Sequence, residues 1–269
     1  MDERRIRTFE ECSFNAWPAR QTRFFGGWVF RLSDGLTKRA NSGNAIEPAI
    51  SFSEVQETAE RLYARHHLPA IFRLTPLASP EADVALNAAH YILLDPSLVL
   101  VAPLLRVEYA GDVKVDSTPS ALWLVGFACA KGIDAAQRAN HDRIVSSIAT
   151  PCAFATLQEE DGTAIGFGLG VYERNAVGIF DVVVTPSRRG RGNGQKITSA
   201  LMHWGLQMGP ERPTCRFAKR TKPPVHSTRA WNFAKRTAII TVYRAPSRRY
   251  ESSSPARRFV IGKVMVNYH

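Results

Sequence analysis

The chain has little of what marks disulfide-rich, metal-binding or membrane-spanning proteins. Its 269 residues include only four cysteines, none in a CxxC pair or beside clustered histidines, so neither a disulfide framework nor a zinc site is expected. The longest apolar stretch, residues 91–105, is interrupted by Asp95, Pro96 and Pro103 and is too broken for a spanning helix. Because Met-Asp-Glu-Arg-Arg at the start precedes no apolar run, we expect no signal peptide and a cytoplasmic protein.

Charge is distributed unevenly along an otherwise ordinary globular composition of 45% hydrophobic and 22% charged residues. Residues 210–269 hold 14 of the 35 Lys and Arg and two of the 24 acids, which gives that segment a net charge of +12. The remaining 21 bases and 22 acids leave the first 209 residues at −1. The overall charge of +11 therefore belongs to the last 60 residues alone.

Residues 1–115 predict an N-terminal α/β half-domain. The pattern indicates a strand over 28–32, a turn at 33–35 and a partner strand over 36–40. Two helices, over about 51–67 and 80–89, and a strand over 98–102 follow. Residues 106–120 lose apolar periodicity, so a domain boundary is expected near residue 115.

Residues 116–209 predict a second α/β domain with a mixed sheet. Its expected elements are a strand over 121–128, a helix over 134–148, antiparallel strands over 153–158, 164–172 and 178–184, and a helix over 195–208. Between the last strand and that helix lies the sequence RRGRGNG. A strand, a glycine-rich loop and a helix N-terminus together favour binding of a pyrophosphate, although a bare GxGxG is weak evidence.

The wider context of this loop carries a resemblance to a known family. The string FDVVVTPSRRGRGNGQKITSALMHWGL resembles the acetyl-CoA-binding motif of the GCN5-related N-acetyltransferase (GNAT) family, whose R-x-x-G-x-G core would be Arg189, Gly192 and Gly194. The three strands before it resemble the family's central sheet, and residues 14–42 resemble the start of a subgroup with an extra N-terminal α/β half, a degenerate acetyltransferase unit. The resemblance covers residues 1–209 and implies the acyl-CoA N-acyltransferase fold, incomplete at its C-terminal end.

That resemblance implies acetyl-CoA as co-substrate and a primary amine, on a small molecule or a peptide, as acceptor; a metal, a membrane and a nucleic acid are not expected as partners. The strand end would hydrogen-bond the pantetheine arm, and the loop amides would bind the pyrophosphate. These cofactor-binding residues are Val182, Val183, Val184, Arg189, Gly190, Arg191, Gly192, Asn193, Gly194 and Gln195.

The sequence indicates the catalytic groups only weakly. Glu173 and Asp181 are candidates for the general base, but carboxylates on strands are more often simply solvated. Some relatives use a glutamate earlier on the cofactor strand, where this chain has Gly178. The general acid of the family is a Tyr in an N-x-x-A-x-x-(L/F)-Y-x-x-L-G-F helix, and residues 210–269 contain no such pattern.

Two interpretations of the basic segment compete: a tail that binds nucleic acid or a membrane surface, or an out-of-frame translation. Allowable codons for residues 214–233, displaced by two bases, can read YLQVREENKAARAFYASLEF, which restores the family pattern except for its Gly and places the Tyr at Thr228. The sequence favours the frameshift, so we expect a poorly ordered segment over 210–269 and an impaired enzyme. The alternative function is a non-catalytic acyl-CoA-binding remnant or a nucleic-acid binder.

Overall fold

A computed structural model of the chain describes residues 3–104, 109, 111–208, 214–219 and 235–243. The helices of these residues are α1 (Glu3–Ala16), α2 (Phe52–Arg65), α3 (Pro80–Ala88), α4 (Ala121–Lys131), α5 (Ala135–Ser146) and α6 (Asn193–Gln207). The strands are β1 (Gln21–Phe25), β2 (Trp28–Leu32), β3 (Gly43–Ala45), β4 (Ile71–Leu74), β5 (Ile92–Pro103), β6 (Val113–Asp116), β7 (Cys152–Gln158), β8 (Ala164–Glu173), β9 (Ala176–Val184), β10 (Thr214–Lys219) and β11 (Lys235–Tyr243). They form one sheet in the order β1-β2-β3-β4-β11-β5-β10-β9-β8-β7-β6.

The N-terminal strands pack on α2 and α3 around a core rich in aromatic rings, which includes Trp28, Phe30, Phe52, Tyr63 and Phe72. The predicted strand over 28–32 and both predicted helices are present. The predicted partner strand over 36–40 is wrong, because β2 pairs instead with β1 across a Gly26-Gly27 turn. Both glycines have positive φ, which permits so tight a hairpin.

The C-terminal half carries the predicted antiparallel meander of β7, β8 and β9. Helix α6 packs on one face of these strands over a core that includes Val177, Ile197 and Leu201. Helices α4 and α5 cover the other face. Helix α1 ends at this face, and Trp17, the residue after it, is buried there. Side chains from the N-terminal segment therefore complete the core of the second half.

The predicted strand over 121–128 is wrong, since these residues form helix α4. The Ser120 hydroxyl accepts a hydrogen bond from the Trp123 amide at 3.1 Å and caps the helix start, and Gly132 ends it with φ of +70°. The segment is apolar on almost every face, so it has neither the two-residue period of a half-buried strand nor the 3.6-residue period of a surface helix. The cap residues, and not the apolar pattern, specify the helix.

Two strands, β10 and β11, lie within residues 210–269, and the expectation that this segment is poorly ordered stays a prediction. Strand β10 lies between β5 and β9, antiparallel to the first and parallel to the second, and β11 lies between β4 and β5. Each strand pairs along one edge with β5 and over four residues of its other edge with β9 or β4. The rest of this segment lies outside the described residues, and the boundary near residue 115 stays a prediction.

Candidate acyl-CoA site

Strand β9 separates from its neighbour β10 part-way along its length. Strand β10 pairs with β9 only from Ala176 to Ile179, whereas β9 continues to Val184. Among the described residues, nothing pairs with the last five residues of β9 on that edge. Unpaired backbone groups on a strand edge offer hydrogen bonds to an extended ligand, as the sequence predicted for Val182–Val184.

A bulge lies in the same stretch of β9. Phe167 and Leu169 of β8 are two residues apart, but their partners in β9, Val183 and Phe180, are three apart. The extra residue gives Asp181 a φ of +50° and leaves the Val182 side chain 40% exposed. The bulge thus directs Val182 out of the sheet.

The loop after β9 has the backbone shape of an anion-binding turn. Gly190 and Gly192 have φ of +76° and +77°, and Gly192 is the N-cap of α6. Within the described part of the chain, the amides of residues 190–194 donate to no protein carbonyl outside the helix. A Cβ added at Gly190, Gly192 or Gly194 would meet no atom within 4 Å, so the space in front of these amides is open.

Polar contacts hold the loop in this shape. Arg188 forms a bidentate ion pair with Glu159 at 2.7 and 2.9 Å, and the Arg188 carbonyl accepts from the Asn193 side chain at 2.9 Å. The Arg189 Nε donates to the Val184 carbonyl at 2.9 Å, which ties the loop to the strand end. Arg188 is therefore committed to Glu159, and Arg189 lies at the junction of strand and loop.

The strand end and the loop enclose one open cleft of about 500 Å³. Its lining comprises Val182, Val183, Val184, Arg188, Arg189, Gly190, Gly192, Asn193, Gly194, Ala130 and Lys131. Most of the predicted cofactor residues thus meet at one place, although Arg191 and Gln195 are not in this lining. Ala130 and Lys131, at the end of α4, were missed because that segment was predicted to be a strand.

The two candidate bases lie at different ends of the sheet. Glu173 accepts from the Asn15 amide group at 2.9 and 3.1 Å and lines a small cavity under α1 with Phe9, Cys12 and Phe180, among others. It pairs with Ala176, five residues before Asp181, which is roughly 15 Å along a strand. Glu173 and Asp181 therefore cannot both contact one reacting atom.

Three comparisons with known proteins agree on the family. The family described as "Probable histone acetyltransferase Rv0428c C-terminal" matches residues 4–236, most of the chain. The chain belongs to this family. It is an N-acetyltransferase of the GCN5-related type with the acyl-CoA N-acyltransferase fold, as the resemblance implied.

Individual relatives support the same assignment. The chain is 27% identical over 217 residues to "Uncharacterized N-acetyltransferase YobR" of Bacillus subtilis (strain 168), covering 77% of this chain and 85% of that protein. A GCN5-related N-acetyltransferase from Kribbella flavida shares the fold with a TM-score of 0.66 at 15% identity, over 88% of this chain and 94% of the other. A tandem GNAT protein from the clavulanic acid biosynthesis pathway has a TM-score of 0.59 at 14% identity, over 89% and 88%.

Features of other kinds of site are missing from the described residues. None of the helices there is both long and apolar enough to cross a membrane. The same residues hold no group of three or more His, Cys, Asp or Glu side chains placed to bind a metal ion. Of the cysteines within the described residues, Cys12, Cys129 and Cys152 form no disulfide.

Proposed function

We propose that this N-acetyltransferase uses acetyl-CoA, which binds in the cleft formed by the end of β9, the loop after it and the end of α4, and acetylates a primary amine. The observation that carries the proposal is the continuity of two surfaces: the unpaired edge of β9 leads directly into the open amides of the loop. An extended amide-bearing arm fits the first, and a pyrophosphate fits the second. The small cavity under α1 is lined by residues of neither surface.

The pyrophosphate is assigned to the open amides of residues 190–194 at the start of α6, since the Arg189 and Gln195 amides already donate to the carbonyls of Pro186 and Gly192. The partial positive charge of a helix N-terminus favours an anion there. Arg189 and Lys131 lie at the rim of the same cleft and add positive charge from two sides. Arg188 contributes less, because its guanidinium already pairs with Glu159.

The reaction requires a general base, a donor for the oxyanion and a general acid around the thioester. An amine nitrogen loses a proton to a base and attacks the carbonyl carbon, the carbon–sulfur bond breaks, and the leaving thiolate takes up a proton. Glu173 remains a proposed base, although the cavity beside it, of about 10 Å³, holds no more than a water molecule, so a proton would have to reach it through such a water. The family description names a histone, so a lysine side chain on a peptide is one acceptor class to test beside small amines.

Residues 210–269 are proposed to be translated out of frame, which would impair the enzyme. The chain as given lacks a Tyr in the family's helix pattern, and the displaced frame supplies one at the position of Thr228. A chain without this acid would still hold acetyl-CoA at the loop while turning it over slowly. A non-catalytic acyl-CoA-binding protein is therefore the second candidate function.

Titration calorimetry with acetyl-CoA tests the cofactor, and release of free thiol on addition of spermidine or a lysine peptide tests the transfer. We expect binding by the chain as given and by the frame-restored chain, with turnover about 10²–10⁴-fold faster in the second. Equal turnover would show that the Tyr is dispensable. Failure of both chains to bind acetyl-CoA would reject the proposed cofactor.

The gene sequence around codons 208–214 tests the frameshift directly. We expect one or two bases to be gained or lost there relative to genes of close relatives. Relatives that encode the same basic segment with intact codons would refute the frameshift and restore the nucleic-acid hypothesis. In that case, salt-dependent binding to DNA that is lost on truncation at residue 209 is the deciding measurement.

A further inference from the structure

We propose that Asp181 is a positioning residue, clamped by Arg39 and His141, that holds the bulge of β9 in the shape that acetyl-CoA requires. The inference rests on the proposed function for the identity of the ligand. It concerns a cluster of three side chains from three separate segments: Arg39 precedes β3, His141 lies on α5, and Asp181 lies within β9.

The backbone of Asp181 is in an unfavourable conformation for a strand residue. A φ of +50° in the left-handed region costs a residue with a side chain about 1–2 kcal/mol, and Asn and Asp tolerate it best. Such conformations persist where the surroundings enforce them and often lie at functional sites. Asp181 directly precedes Val182, whose side chain the bulge turns into the cleft.

Arg39 and His141 hold the Asp181 carboxylate from two sides. Its Oδ1 lies 3.7 Å from Arg39 Nη2, and its Oδ2 lies 3.8 Å from His141 Nε2. Both Oδ2 and Nε2 are buried, and neither has a hydrogen-bond partner in the described structure. The two unsatisfied atoms face each other, so a small inward movement of either side chain completes a buried hydrogen bond.

The two partners of Asp181 are themselves fixed by aromatic rings. The His141 ring stacks on Phe127 with 4.5 Å between centroids. The Arg39 guanidinium lies 4.3 Å from the centre of the Trp17 ring and 5.3 Å from that of Phe180. Because these rings belong to the core beneath β9, Arg39 and His141 form a rigid support for the bulge.

The electrostatics of the cluster favour positioning over proton transfer. Burial raises the pKa of Asp181, but His141, Arg39 and the more distant Lys131 outweigh it and hold that pKa below its ordinary value. The other charged group beside the cluster is Asp142, whose carboxylate lies 3.5 Å from His141 Nδ1. A carboxylate with a lowered pKa is a weak general base near neutral pH.

Three substitutions at Asp181 separate the two roles. Asp181→Asn keeps the size, the tolerance of positive φ and the capacity to hydrogen-bond with His141, whereas Asp181→Ala loses all three and Asp181→Gly keeps only the backbone freedom. We expect the Kd for acetyl-CoA to rise less than about threefold in the Asn variant and about tenfold or more in the Ala variant, with Gly between them. A general base would instead lose turnover equally in Asn and Ala, with no change in Kd.

Asp34 provides a matched control on the surface. It also has positive φ, of +49°, and it also pairs with an arginine, Arg20, at 3.0 Å, but it does not line the cleft. Asp34→Ala is expected to lose stability without a change in the Kd for acetyl-CoA. Arg39→Met, in the other half of the chain, is expected to raise that Kd several-fold.

Hydrogen exchange of the β9 amides tests the clamp without any ligand. Asp181→Ala should exchange faster than wild type at Val182 and Val183, whereas Asp34→Ala should not. Equal exchange at β9 in wild type and Asp181→Ala, or equal Kd values in the Asp181 series, would overturn the proposal. If the wild-type chain fails to bind acetyl-CoA, the proposed function fails, and the exchange experiment still decides the clamp.

Discussion

Gly194→Asp should raise the stability of the chain and abolish binding of acetyl-CoA. Gly194 is the second residue of α6, its φ is not positive, and an added Cβ would meet no atom within 4 Å. Replacement of a helical glycine, together with a carboxylate at a helix N-terminus, is expected to stabilise the fold by about 0.5–1 kcal/mol. A change of that size raises Tm by about 1–4 °C in a chain of this length.

The same carboxylate occupies the place assigned to the pyrophosphate. Two like charges about 4 Å apart repel by about 4 kcal/mol at an effective dielectric constant of about 20. Since about 1.4 kcal/mol corresponds to a tenfold change in Kd, we expect affinity for acetyl-CoA to fall by about 10²–10³-fold. The predicted changes in stability and affinity have opposite signs, which no general loss of folding can produce.

Calorimetric titration and a thermal melt of the same preparations measure the two effects. Gly194→Ala is the control, because it adds the Cβ and the helix propensity without the charge, and it should bind acetyl-CoA within about tenfold of wild type. If the Asp and Ala variants bind equally well, no phosphate lies at the start of α6. Binding that weakens together with a fall in Tm would show that the loop, and not the ligand, is perturbed.

Three further predictions concern stability. Gly126→Ala should lower Tm, because its Cβ would lie 2.1 Å from the buried Phe167 ring and overpacking costs about 1–3 kcal/mol; a Tm at or above wild type would contradict that contact. Ser120→Ala should cost about 1 kcal/mol in urea unfolding through loss of the cap on the Trp123 amide, and an unchanged midpoint would refute the cap. The lowered pKa of Asp181 should stabilise the fold above about pH 4, so the advantage of wild type over Asp181→Asn should shrink below it.

The glycine-rich loop between β9 and α6 could be predicted from the sequence, because the residues that specify it are neighbours in the chain. Three antiparallel strands follow one another within a short stretch of sequence, and the glycine-rich loop and a helix come directly after the third. Neighbouring residues therefore carry the whole motif. In the structure, Val182, Gly192 and Asn193 line one cleft. Turn glycines and helix caps act within a few residues, and no distant contact is needed to interpret them.

The cluster at Asp181 could not be predicted, because its partners are distant in sequence. Arg39 and His141 meet Asp181 only after the N-terminal segment packs against the face of β9 that α4 and α5 cover. Nothing at His141 distinguishes it from an ordinary helix residue, and its hydrophobic neighbours become visible only in three dimensions. A local pattern also misled at α4, where a continuous apolar run fits a buried strand and a buried helix equally well.

Binding and chemistry are separable in this architecture. The loop, the bulge and the end of α4 all precede residue 209, so one wall of the cleft is complete before the segment where the family's Tyr pattern is missing. Strand β10 pairs with β9 only up to Ile179, and the strand edge proposed to hold the pantetheine begins beyond that residue. Loss of the family's Tyr pattern after residue 209 would therefore leave in place the residues proposed to bind the phosphate and the pantetheine, and acetyl-CoA binding with slow turnover is the state that this division predicts.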